Sequence, residues 1–104
     1  MDTSKFDAPT KKFYKLHPLY FNPIVLKDRD WWLYDRDIPR WVVAEYISHD
    51  TETYKVTLKM GNKGYTVPIY RLFMNSPDIN SIATRKDEIN IAGGEVMEKS
   101  DLKF

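Results

Sequence analysis

The sequence predicts a mainly β domain: a small antiparallel barrel with an extended N-terminal arm and one short C-terminal helix. Three observations on residues 41–72 support this fold class. The runs are rich in β-branched and aromatic residues, which favour strands. Short polar turns separate the runs, and apolar and polar residues alternate through the third run. Because an open sheet of this size is barely stable, we expect it to curl and enclose its apolar face.

Composition places the chain among ordinary globular proteins and argues against several functions. Its 104 residues fit one domain, and 42% hydrophobic residues suffice for one modest core. A net charge of +1 is unlike the basic balance of a dedicated DNA-binding domain. The chain has no cysteine, and His17 and His49 lie far apart, so no metal or other cofactor is expected. No run approaches the ~18 apolar residues of a membrane span, so we expect a cytoplasmic protein, of a cell or of an infected host cell.

Three parts of the chain differ in character. Residues 1–12 are polar and are predicted to be a flexible arm, residues 13–92 the barrel domain, and residues 93–104 a charged tail. Residues 13–30 are rich in aromatics and carry two prolines, which stop any long helix. We therefore expect this segment to lie extended over the core or against a partner, with a strand starting at residues 25–26.

Local patterns predict four strands in succession. They are expected at residues 31–35, 41–48, 54–60 and 65–69, with polar turns at 36–39, 49–53 and 61–64. In the third strand, alternation puts Tyr54, Val56 and Leu58 on the buried face. Val67 and Ile69 are expected to join them from the fourth strand, where a proline that cannot donate to a ladder indicates an edge.

Residues beyond 72 give weaker signals. Residues 79–88 are predicted to form a short helix, because apolar residues recur at helical spacing and Asp78 precedes them as a cap. Residues 88–92, EINIA, are predicted to close the barrel as a fifth strand. The glycine pair at 93–94 then ends that strand.

Residues 41–72 resemble the Tudor branch of the SH3-like barrels. The matching positions are Trp41, Ala44, Val56, Leu58, Gly61-Asn62, Val67-Pro68 and Leu72. The resemblance implies an SH3-like barrel over about a third of the chain. Tudor domains that read methylated lysine or arginine enclose the cation in aromatic rings. Two of those cage positions are Thr57 and Met60 here, so the resemblance implies the fold and no useful affinity for methylated cations.

Aromatic side chains near the first two strands are the candidate partner-binding residues. Trp31 and Trp32 are adjacent on one strand, so their rings face opposite sides and one is expected outside the core. An outer tryptophan beside other aromatics would form a stacking platform for a peptide or an unpaired base. The alternative is that residues 13–26 cover this ring. The predicted site comprises Tyr20, Phe21, Trp31, Trp32, Tyr34 and Trp41.

Three lysines form the alternative site. Lys55, Lys59 and Lys63 are expected to share the outer face of the third strand and its turn, where they would contact phosphates. Lysines in such positions also protect exposed strands from aggregation. In residues 28–40, acidic and basic side chains are interleaved, which favours a solvated, salt-bridged loop over a pair of catalytic carboxylates.

These features predict a non-enzymatic protein-interaction module that binds a protein partner through an aromatic surface. Accessory, inhibitor and assembly factors, including viral ones, often have this size and make-up. The alternative is binding of RNA or another single strand through the lysines and exposed aromatics. No residue is predicted to be catalytic, because neither histidine has an orienting partner nearby in the sequence. A small hydrolase or nuclease is the third class, and metal-dependent turnover would be required to support it.

Overall fold

The computed structural model describes residues 1–35 and 37–89. Four strands form one antiparallel sheet in the order β1–β2–β3–β4, and this sheet curls into a half-barrel. The strands are β1 (Trp31–Asp35), β2 (Arg40–His49), β3 (Lys55–Met60) and β4 (Lys63–Pro68). Each predicted strand is present, with small differences at its ends. The sheet-dominated fold class is confirmed.

Helices precede the first strand and follow the last strand along the chain. They are α1 (Ala8–Leu16), α2 (Pro23–Lys27) and α3 (Ile79–Ile89), with 3₁₀ turns at Pro18–Phe21 and Ile69–Arg71. The prediction that residues 13–30 lie extended, with a strand at residues 25–26, is therefore wrong. Pro9, Pro18 and Pro23 each lie in the first turn of a helix, where a missing N–H needs no partner. The prolines do prevent a long helix, as predicted, but they start short helices instead of leaving the segment extended.

The N-terminal residues contribute to the core, which corrects the extent of the predicted arm. Phe6 is buried, and its ring lies 5.7 Å from the rings of both Phe21 and Tyr54. Asp7 caps α1 by accepting a hydrogen bond from the backbone N–H of Thr10 at 2.9 Å. The predicted boundary between arm and domain thus falls inside a packed helix.

The core of the half-barrel follows the predicted alternation. Tyr54, Val56, Leu58, Val67 and Ile69 are all buried, which confirms these predicted positions. Val56 lies directly opposite Val67 in the β3–β4 register, so both side chains share the inner face. Tyr54 precedes β3 with a left-handed backbone, at φ 53°, where the chain turns from β2 into β3.

The chain after β4 returns to β1. Trp32 and Phe73 exchange two backbone hydrogen bonds, with N–O distances of 2.9 and 3.0 Å, in an isolated antiparallel bridge. This bridge lies earlier in the chain than the predicted closing strand at 88–92. The first two residues of that predicted strand belong to α3, so the prediction is wrong there, and residues 90–92 and the predicted tail at 93–104 lie outside the described residues.

The predicted C-terminal helix is confirmed as α3. Asp78 accepts a hydrogen bond from the backbone N–H of Ser81 at 2.7 Å, as expected of its cap. Ile82 and Ile89 are both buried and lie about two helical turns apart, so Ile89, which was predicted to lie in a strand, belongs to the apolar face of this helix. Within the two described ranges, no helix is long and apolar enough to cross a membrane.

Candidate functional site

Four of the six aromatics predicted to bind a partner are enclosed in the core. They are Tyr20, Phe21, Trp31 and Tyr34. Such rings cannot reach a partner while the domain is folded, so the expectation that they form an accessible surface is corrected. For Tyr20, Phe21 and Trp31 the cause is the N-terminal helical segment, which packs its rings onto the sheet, as in the Tyr20–Trp31 contact at 5.1 Å. Tyr34 lies on the other face, where its ring packs against that of Trp41 at 5.5 Å.

The adjacent tryptophans of β1 have opposite environments, as predicted. Trp31 is fully buried, and its indole N–H donates to the carbonyl of Leu26 at 2.9 Å. Trp32 lies on the other face and is only half-buried. The segment at 13–26 therefore covers the inner ring and leaves the outer ring partly exposed.

Trp32 and Trp41 line an open groove of about 510 Å³. We call this cavity the Trp32–Trp41 groove. Its remaining lining comes from the loop before α3 and from the first turn of α3. These residues are Ser76, Pro77, Asp78, Ile79 and Asn80. Ile79 is 54% exposed, so two indole rings and one isoleucine give the groove an apolar surface beside a single carboxylate.

Strand pairing fixes the geometry of the two indoles. Tyr34 lies opposite Trp41, and Trp32 lies opposite Val43, so all four side chains share the outer face of β1 and β2. The ring of Trp41 meets Tyr34 and Phe73 at steep interplanar angles, with centroid distances of 5.5 and 5.2 Å. These contacts hold the indole in place. Val43 is 46% exposed and extends the apolar surface.

The indole N–H of Trp41 has no acceptor among the described residues. Its neighbours enclose the nitrogen, and a buried donor left unpaired costs about 1–3 kcal/mol. The enclosed nitrogen is not accessible from the groove, which therefore offers aromatic and apolar contact.

Asp78 places a negative charge at the groove. Its Oδ1 accepts the backbone N–H of Ser81, and this hydrogen bond is the main reason why the pKa of Asp78 lies below its ordinary value of 3.8. The side chain of Ser81 adds a second hydrogen bond with the same effect. Asp78 is therefore ionised at neutral pH, and it is exposed.

A second cleft, of about 400 Å³, adjoins the groove because Asp78 and Asn80 line both. It also contains His17 and Glu88, whose Nε2 and Oε2 atoms lie 2.7 Å apart. The two residues are 71 positions apart, so no local pattern links them. A carboxylate that orients an imidazole is one part of a general-base site, but among the described residues no hydroxyl is hydrogen-bonded to His17. The pair therefore has a structural role: it joins the end of α1 to α3.

Arg85 is a buried cation that the sequence pattern did not single out. Its Nη1 donates to the carbonyls of Tyr70 and Leu72 at 2.7 Å each, and its Nη2 donates to the Tyr20 hydroxyl at 3.1 Å. The guanidinium carbon lies 3.9 Å from the centroid of the Phe73 ring. Burial lowers the pKa of Arg85 below its ordinary value. These contacts anchor α3 on the core and leave little of the guanidinium for a ligand.

His49 lies where β2 ends, in a partly buried position. Its Nδ1 is 2.6 Å from the hydroxyl of Tyr46, and its ring lies 5.1 Å from that of Tyr54. Burial, and then the positive charge of Lys27, lower the pKa of His49 below 6.5, while Asp50 acts in the opposite direction. The imidazole is therefore neutral at pH 7. Its Nε2 has no hydrogen-bond partner within residues 1–35 and 37–89.

The three lysines of the alternative site do not share a face. Lys55 and Lys59 lie on the outer face of β3, whereas Lys63 lies opposite Met60 and therefore on the other face. The hairpin loop is shorter than predicted, so β4 already begins at Lys63 and its side chains alternate from there. Glu45 lies opposite Lys59 across β2 and β3 and offsets its charge. The predicted shared lysine face is wrong, and nucleic-acid binding stays a prediction with less support.

Comparison with known proteins assigns no family. No protein-family model, curated protein or solved structure matches this chain. The curled sheet is compatible with a barrel-like fold. Within the part of the chain that the structure describes, no group of three or more histidine, cysteine, aspartate or glutamate side chains could hold a metal ion.

Proposed function

We propose that this protein is a non-enzymatic interaction module that binds an extended segment of a partner protein in the Trp32–Trp41 groove. One observation carries the proposal: two half-buried tryptophans line an open groove, while most aromatics of the domain are enclosed. Tryptophan provides a large, rigid contact area at low entropic cost, and it is enriched among the residues that dominate interface energies.

The surroundings of the two indoles support a peptide as the occupant. Val43 and Ile79 are exposed and enlarge the apolar area, and contiguous apolar patches of this kind mark interaction sites. An extended segment presents its side chains to such an area, so it can place an apolar anchor against the two indoles.

We also propose that the half-barrel is a variant of the SH3-like barrel. The resemblance of residues 41–72 supports this relationship, as does the Trp32–Phe73 bridge, which brings the chain after the last strand back to the first. Reading of methylated lysine or arginine is not part of the proposal. Thr57 and Met60 stand where the Tudor cage has aromatic rings, and neither can form a cation–π contact.

Selection from a library of random dodecapeptides displayed on phage tests the proposed function. We expect the intact protein to select peptides that bind with a Kd of about 50 µM or lower. Trp32→Ala should weaken their binding at least about tenfold, because truncation of a central aromatic removes most of the contact. Ile24→Ala is the matched control, since Ile24 is 76% exposed and does not line the groove. It should change the affinity less than about twofold.

Two results would contradict the proposal. One is a library that yields no binder; the other is a set of peptides that bind the Trp32→Ala and Ile24→Ala variants equally well. A third result would replace it with the alternative. That result is capture of single-stranded RNA with an affinity that falls steeply with added salt and depends on Lys55 and Lys59.

A further inference from the structure

The Trp32–Trp41 groove and the second cleft meet at the first turn of α3. Asp78 and Asn80 line both cavities, so a segment bound in the groove can continue into the cleft past these two residues. Both cavities combine apolar and polar lining: Trp32 and Asn80 line the groove, and Phe73 and Ser81 line the cleft.

The accessible charge at this junction is negative. Asp78 is exposed and ionised, and no lysine or arginine of the described residues forms an ion pair with it. Glu88, the second carboxylate of the cleft, is already bonded to His17 at 2.7 Å. Arg85 also lines the cleft, but it is only 4% exposed and its donors are held by two carbonyls and a hydroxyl. Of the two carboxylates, Asp78 is therefore the one available to a cation of the bound segment.

We propose that the segment bound in the groove carries a lysine or arginine close to its apolar anchor, and that this cation pairs with Asp78. The inference rests on the proposed function and specifies the chemistry of the partner. Each residue of an extended segment advances about 3.3 Å. Because Asp78 lines the same groove as the two indoles, a cation two or three residues from the anchor can reach it while the anchor contacts Trp32 or Trp41. The indole faces also attract cations, which favours the same partner.

The capping role of Asp78 can be separated from its charge. Asparagine caps helices about as well as aspartate, so Asp78→Asn keeps the hydrogen bond to the backbone N–H of Ser81 and removes only the negative charge. Any loss of preference for a cation in this variant thus reports the electrostatic contribution. The helix is checked by the amide spectrum of the variant.

Three synthetic peptides test the inference on the intact protein. They are blocked dodecapeptides of serine and glycine with two leucines, identical except for one position two residues after the second leucine, which is arginine, glutamine or glutamate. The indole N–H signals of Trp32 and Trp41 report binding by NMR. The signal of Trp31, whose N–H is bonded inside the core, is the internal reference.

We expect the wild-type protein to bind the arginine peptide about threefold or more tightly than the glutamine peptide, and the glutamate peptide least tightly. In Asp78→Asn the arginine and glutamine peptides should bind within about twofold of each other. Added salt should reduce the wild-type preference, since the pair is exposed.

Several outcomes would overturn the inference. It fails if the wild-type protein binds the arginine and glutamine peptides equally, if Asp78→Asn keeps the preference, or if none of the three peptides shifts the outer indole signals at millimolar concentration. Peptides that need Trp32 but show no charge preference leave the proposed function standing and refute only this inference. Peptides that bind Trp32→Ala as tightly as the wild-type protein refute both.

Discussion

The domain contains two aromatic regions with opposite properties. The inner cluster joins the N-terminal helices to the sheet and consists of Phe6, Phe13, Tyr20, Phe21, Trp31 and Tyr54. In this cluster the polar ring atoms have partners: the Trp31 indole donates to Leu26, and the Tyr54 hydroxyl donates to the Phe21 carbonyl at 3.0 Å. The outer pair, Trp32 and Trp41, lines an open groove, and the Trp41 indole donor has no acceptor among the described residues.

This difference shows what aromatic content can and cannot indicate. A high proportion of aromatics is needed both to fill a small core and to form a binding surface, so composition does not separate the two roles. Strand alternation separates them at Trp31 and Trp32, which are adjacent in sequence and face opposite sides. Partial exposure and a shared open groove, which only the structure provides, identify the outer pair as the candidate site.

The largest predicted effect is a difference in stability between alanine variants of the two tryptophans of β1. Trp31→Ala should lower the free energy of unfolding by about 3–5 kcal/mol, because it opens a cavity in a fully buried position. Trp32→Ala should cost only about 1–2 kcal/mol, since its ring is half-buried. Urea denaturation followed by circular dichroism measures both values. Equal losses of unfolding free energy would show that the two rings are equally enclosed, and would contradict the distinction between the inner cluster and the outer pair.

The next prediction concerns the two faces of β3. Leu58→Ala should destabilise the domain by about 2–4 kcal/mol, because Leu58 is fully buried on the inner face. Lys55→Ala, on the outer face, should stay within about 0.5 kcal/mol. The same urea titration compares them. A loss for Lys55→Ala as large as that for Leu58→Ala would mean that the register of β3 is wrong.

A somewhat smaller effect is expected at the cation of the inner region. Arg85→Met should cost about 2–3 kcal/mol, because the carbonyls of Tyr70 and Leu72 lose their donors inside the core. Asp87→Ala, at an exposed site on the same helix, is the matched control and should be nearly neutral. Thermal unfolding curves distinguish these expectations. Similar melting temperatures for both variants would show that Arg85 does not anchor α3.

Sequence patterns predicted the sheet better than the helices and the site. The four strands and the buried positions of β3 follow from alternation, which depends only on neighbours in the chain. The N-terminal helices were missed because Pro18 and Pro23 look like helix breakers, yet each occupies a first helical turn. Trp32 and Trp41 were among the aromatics that the sequence predicted to bind a partner. The sequence could not show that the other four predicted aromatics are buried.

Other parts of the site had no sequence signal at all. His17 and Glu88 meet across 71 positions, and Tyr20 and Arg85 meet across 65. Such contacts arise when the end of α1 and the 3₁₀ turn that follows it pack against α3, which no local pattern specifies. Asp78 was predicted only as a helix cap, and its position at the groove depends on the same packing.

The smallest predicted effect is a pH dependence from His49, at the edge of the inner cluster. Its pKa in the folded protein lies below the ordinary 6.5, so the unfolded chain binds a proton more readily. The stability that this histidine contributes is therefore complete above pH 6.5 and is lost as the pH falls through the folded pKa. Unfolding free energies at pH 7.5 and at about pH 5 measure this loss. His49→Gln should show a shallower decline, and an equally steep one would exclude His49 as the cause.

The central claim is that the outer tryptophans bind a partner while the inner one only stabilises the fold. The most direct test is an NMR titration of the intact protein with a display-selected peptide, in which each of the three tryptophans gives its own indole signal. We expect large shifts for Trp32 and Trp41 and almost none for Trp31. A shift of Trp31 as large as theirs, or no shift of either outer indole on binding, would contradict it.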